Sequence, residues 1–298
     1  MTTEFPYISA MDFLTRMDDP YCLDLIHEEY NTIELTRRSF AEPDNGAGRS
    51  GCSMVAHQFF RCLKTEERYH GASFVDGFDS CNGQRKYICV SNPEEEDCEK
   101  FWQLAWRHEV TTIVKASRRA EAESYQYWSS TEGSEIECGG FRVKTLKISE
   151  KPRFTLTVLR LSDRADRERE IQHYQYTAWH NSFEDDPLVF LSFVCSLNET
   201  YTISEKKQRG GKKPGAVMVH CSDGLSCSAV YCILDICVTQ FKSTGTLSVA
   251  NTLQKLRRQK YSCLNRIEDY TFCYQAMHVF VLGEMGWSQR YLNERQST

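Results

Sequence analysis

The sequence predicts an α/β protein of the α+β kind, built as one domain on a central mixed, twisted sheet flanked by helices. Three observations carry that expectation. Short β-branched or aromatic runs between turn residues fill the first part of the chain, long apolar helical patterns fill its last third, and one buried strand runs straight into a buried helix.

In chain order, ASFVDG (72–77), KYICVS (86–91) and TTIVKA (111–116) read as short strands, each closed by a turn signal. The segment 94–109 opens with acids after Pro93 and sets Phe101, Leu104, Ala105 and His108 on one face. That pattern predicts a capped amphipathic helix with its acids at the positive end of the dipole. FTLTVLRLS (154–162) alternates as a half-buried strand, and AVMVH (216–220) is apolar enough to be a fully buried one. Residues 228–241 are apolar almost all round, which predicts a buried helix. The stretches from Ser248 and from Glu268 complete a helical C-terminal third. Two segments read as loops. One is 42–51, rich in glycine and turn formers; the other is 204–215, a basic, glycine-rich connection that reads as a solvated loop feeding a strand, not as a nucleic-acid patch. There is no internal repeat.

Composition narrows the class. With 41% hydrophobic and 26% charged residues the chain is an ordinary globule, not a disordered one. A net charge of -5 gives no pull toward nucleic acid or anionic lipid. The first residues lack a basic segment followed by an apolar run, and no window of about 18 apolar residues exists. The expectation is therefore a cytoplasmic protein without membrane insertion. Fourteen cysteines are scattered without a CxxC pair, so neither a metal site nor a cofactor is expected, and most are read as small buried hydrophobes kept reduced. The sequon at 198–200 is read as chance.

The chemistry concentrates in VMVHCSDGLSCSAVY (217–231): strand, tight loop, helix. His220 and Cys221 end the strand; Ser222, Asp223, Gly224, Leu225 and Ser226 form the loop; Cys227 and Ser228 open the helix. Such a loop wraps backbone N–H groups around a phosphate, aided by the helix dipole. A cysteine at its base is expected to have a lowered pKa and to act as a thiolate nucleophile.

These residues resemble the tyrosine-specific protein phosphatases, whose signature is His-Cys-x-x-Gly-x-x-Arg-Ser/Thr. Further segments are similar in order: YHGASFVDGFD (69–79), YICVSNP (87–93), EKFWQLAWRHEVTTIV (99–114), YQYWSSTEG (125–133) and HYQYTAWHN (173–181). The resemblance implies a phosphatase-like domain over 28–286, an N-terminal helical extension (1–27) packed on it, and a frayed tail (287–298).

It also implies losses. Cys221 matches the nucleophile and Ser228 the hydroxyl that eases thiolate departure, but Cys227 stands where the family's phosphate-gripping arginine belongs. Trp-Pro-Asp becomes Trp179-His180-Asn181, so Asn181 replaces the general acid, and His180 would point the wrong way to substitute for it. In the substrate loop Arg49 survives, but Ser50 replaces the stacking tyrosine and Cys52 the acid. Asn265 and Asp269 replace the water-positioning glutamines, and Asp223 adds a carboxylate that repels a phosphate dianion. A compact, cysteine-rich chain with a broken signature is similar to the phosphatase-like proteins of bracoviruses, the polydnaviruses of parasitoid wasps. What this implies is an inactive relative, not an enzyme, acting by protein binding or competition among host or cellular signalling proteins, phosphoproteins included. Suppression of host immune-cell adhesion or phagocytosis in the host cytoplasm follows from the same resemblance. The alternative is a weakly active phosphatase using Cys221 as a phosphocysteine nucleophile.

Overall fold

The computed structural model describes residues 5–39, 72–78, 85–117, 125–178, 186–207 and 215–286. The predicted loop 42–51 and tail 287–298 lie outside them, as do Arg49, Ser50 and Asn181.

The main sheet has eight strands in the order β2-β3-β9-β4-β8-β7-β6-β5. They are β2 (Ser73–Asp76), β3 (Arg85–Ser91), β4 (Thr112–Lys115), β5 (Glu135–Cys138), β6 (Phe141–Glu150), β7 (Phe154–Ser162), β8 (Glu168–Tyr176) and β9 (Val217–Cys221). The inner strands β3, β9, β4 and β8 run parallel, while β2 and the β8–β5 meander are antiparallel, so the sheet is mixed as expected. A separate ribbon pairs β1 (Ile8–Ser9) with β10 (Thr246–Leu247).

Parallel inner strands must be covered on both faces, and side chains alternate between them. Val217, Val219 and Cys221 join a core with α1 (Ala10–Asp18), α2 (Cys22–Ser39), α4 (Pro187–Lys207), α5 (Cys227–Thr244), α6 (Val249–Gln259) and α7 (Ile267–Glu284). Met218, Ile88 and Ile113 face the other way, onto a second core with α3 (Cys98–Arg107). The buried helix predicted at 228–241 is α5, whose Gly245 terminates it in the left-handed conformation at φ 70°. The predicted helix at 94–109 is a 3-10 turn (Glu95–Asp97) followed by α3, without the expected side-chain cap.

Helix α2 runs unbroken across position 28. It is tied to the C-terminal helices by Tyr30 tilted on Tyr270, by Glu29 accepting from the Tyr270 and Tyr274 hydroxyls, and by the Arg257–Glu34 ion pair at 2.6 Å. The basic loop predicted from 204 begins later, because α4 continues through Lys207. Cys98 and Cys138 depart from the expectation of reduced thiols: the turn after β5 sets its last residue against the start of α3, with 5.7 Å between Cα atoms, and the two form a disulfide.

Candidate active site

Strand β9 delivers Cys221 to the C-terminal edge of the parallel strands. Its register is set by β3, with Ser91 opposite Cys221, and by Asn92 N–H donating to the Cys221 carbonyl at 2.9 Å. The chain then turns at Gly224, where φ is 64° and a Cβ would lie 2.6 Å from Val90 C and Ser91 N. Only glycine allows that approach. The loop is braced from outside by Leu264, whose N–H donates to the Leu225 carbonyl at 3.1 Å. The Leu264 carbonyl in turn accepts from Tyr30 Oη–H at 3.1 Å and Arg257 Nη2–H at 2.8 Å. Asn265 is exposed beside this brace.

His220 points to the opposite face of the sheet from Cys221. Its Nδ1 lies 2.6 Å from Asn92 Oδ1, an acceptor, so Nδ1 carries the ring proton. Nε2 is then an acceptor, and the Tyr127 hydroxyl donates to it at 2.5 Å. The Tyr127 oxygen accepts from His173 Nε2–H at 2.7 Å, which fixes a directed chain across two strands. Both histidines stay neutral: burial, with the nearby Lys115 ammonium adding to it, pushes His220 well below its ordinary range and His173 down to about 3. Lys115 lies over the Trp128 ring at 5.1 Å, and burial lowers it to about 8. Neither Tyr127 nor His173 was a predicted site residue. The signal was present, since both sit in the similar segments 125–133 and 173–181.

The thiol itself reverses an expectation. Cys221 is 1% exposed, and burial, then the Asp223 carboxylate, raise it to about 12. The opposing hydrogen bond, Sγ to Ser228 Oγ at 3.5 Å, does not compensate. The helix dipole favours the thiolate, but desolvation of a fully buried sulfur outweighs it. Ser222 and Asp223 lie at the exposed rim, Leu225 and Ser226 are half-buried, and Cys227 and Ser228 are buried at the first turn of α5. Iodoacetamide at pH 8 is expected to label half-buried Cys22 while sparing Cys221, whose labelling rate should still climb about tenfold per pH unit near pH 9. Rapid, pH-independent labelling of Cys221 near neutrality would show that it is a thiolate after all.

A cleft of about 190 Å³ lies elsewhere, lined by Lys86, Tyr87, Val217, Asn198, Tyr231 and Asp235 among others. Val217 begins the strand that Cys221 ends, so the cleft is about 13 Å from the thiol along β9. It is not the cradle.

Residues 60–278 match the family profile described as protein-tyrosine phosphatase. The chain belongs to that family. It is 34% identical over 298 aligned residues to "Probable tyrosine phosphatase protein J2" of Microplitis demolitor bracovirus, covering 94% of this chain and 97% of that one. It is 30% identical to protein J4 of the same virus, covering 92% of each chain. The viral "Tyrosine phosphatase-like protein J3" is 35% identical over 69% of this chain and 84% of its own length.

Proposed function

We propose that this member of the phosphatase family does not hydrolyse phosphate esters and acts by binding proteins, competing for or masking signalling partners, phosphoproteins among them. One observation carries the reading: the Cys221 sulfur is buried and faced by a carboxylate, while a buried thiol, Cys227, begins the helix where a guanidinium should grip the phosphate. Nucleophile and electrophilic support are thus both compromised at one site. The similarity to bracovirus tyrosine phosphatase proteins supports a setting in host-cell signalling; suppression of immune-cell adhesion or phagocytosis in the host cytoplasm is our extension of that reading. No described helix is long and apolar enough to cross a membrane.

The test is turnover of p-nitrophenyl phosphate by the purified full-length chain. The expected result is a rate indistinguishable from that of Cys221→Ser. A wild-type rate that Cys221→Ser abolishes would instead establish a weak phosphatase working through phosphocysteine.

A further inference from the structure

From sequence alone, Asp223 is expected to repel anions from the mouth of the loop. The structure shows the Asp223 carboxylate, at the exposed rim, hydrogen-bonded to the loop's own donors. Oδ1 accepts from Leu225 N–H at 2.8 Å and from Ser226 N–H at 3.0 Å, and Oδ2 accepts from Ser226 Oγ–H at 2.6 Å. The Cys221 thiol donates to the same Oδ1 at 3.2 Å. Four donors from the base and the wall of the loop therefore converge on one carboxylate.

We infer that Asp223 is an internal anion, an autoinhibitory contact in which its carboxylate takes up the cradle's donors and keeps external oxyanions out. This rests on the reading above that Cys221 does not turn over phosphate. Two features argue beyond a local turn. A carboxylate serving only to cap the helix needs the two N–H groups and has no use for a thiol, yet here the S–H of the nucleophile position completes its shell. The loop is also held from outside by Gly224 against β3 and by Leu264 on Leu225, so its shape does not depend on Asp223 alone. An external oxyanion would have to displace a partner that is already tethered, with no search entropy to lose, and would meet its negative charge as well.

Sodium tungstate, a tetrahedral dianion, separates the two roles when titrated calorimetrically into the full-length chain at neutral pH. Wild type is expected to give no binding up to about 1 mM. Asp223→Ala, which frees the donors, and Asp223→Asn, which keeps the turn but removes the charge, are each expected to bind at least about tenfold tighter. The binding should shift the amide resonances of Leu225 and Ser226. If both variants fold, as judged by circular dichroism, and neither binds better than wild type, Asp223 is only a turn residue and the inference falls. Wild-type binding as tight as that of the variants overturns it equally. Should Asp223→Ala fail to fold, Asp223→Asn decides alone. Wild-type turnover of an aryl phosphate, by contrast, would sink the proposed function whatever tungstate does.

Discussion

The triple variant Asn181→Asp, Asp223→Ala, Cys227→Arg is expected to hydrolyse aryl phosphates about 10⁴-fold faster than wild type, roughly 5 kcal/mol of transition-state stabilisation. Each change has its own role. Arginine at the start of α5 adds a bidentate cation for the phosphoryl oxygens, where a lost donor alone is worth about 10²–10³ in rate. Aspartate at 181 gives the leaving phenolate its proton, a contribution of about 10²–10⁴. Alanine at 223 frees the Leu225 and Ser226 donors and removes the charge that helps hold Cys221 up to about 12. These terms act as a unit, so their product overstates the total and each single variant should stay near baseline. The pH dependence has a definite sign: losing the Asp223 carboxylate lowers the thiol pKa, so the rate profile of the triple variant should reach its plateau at lower pH than that of Asn181→Asp with Cys227→Arg. A well-folded triple variant with no turnover, or turnover that survives Cys221→Ser, would show that these three positions are not what separates this cradle from an enzyme.

How much of that site could be read from residues alone depends on which interactions are local. The strand, Gly224 turn and buried helix were legible because periodicity and a single steric requirement define them. FTLTVLRLS was placed as β7 over the same nine residues because its alternation is regular. The neighbours β5, β6 and β8 carry charged residues on their open face, such as Arg142, Lys144 and Glu168, and gave no comparable pattern. An N-terminal helical extension over 1–27 is expected from the resemblance alone, while the burial of helices α1 and α2 rests on contacts with α7 more than two hundred positions away. The polarity of Asp223 was anticipated but its direction was not, because a rotamer decides whether a carboxylate guards a loop or fills it. The acidity of Cys221 was misjudged for a related reason. Dipole and loop are features of local sequence, whereas burial of the sulfur is a property of the whole core.

At the far end of the same strand–loop–helix unit, Asp235→Ala is expected to cost about 3–5 kcal/mol, a large share of the roughly 5–15 kcal/mol that holds a typical domain folded. The Asp235 side chain is 2% exposed and carries three partners: Lys86 Nζ at 2.6 Å, Asn198 Nδ2 at 2.6 Å and the Tyr87 hydroxyl. Lys86 is further held 4.9 Å from the Tyr201 ring centroid and 5.1 Å from that of Tyr87. Removing the carboxylate leaves an ammonium group and a phenol without their acceptor and the Asn198 amide with Thr239 Oγ1 at 2.9 Å, which is costlier than the pair's net worth. The neighbouring cleft works in the other direction. Its volume of about 190 Å³ allows water to reach Lys86, so the loss should fall toward the lower end of the range. Replacing both partners, Lys86→Met with Asp235→Leu, should recover most of the loss, because no charge is then left without a partner. Chemical denaturation of the two variants checks this. A single-variant loss below about 1 kcal/mol would mean that water already solvates Lys86 through the cleft and that the ion pair contributes little to the fold.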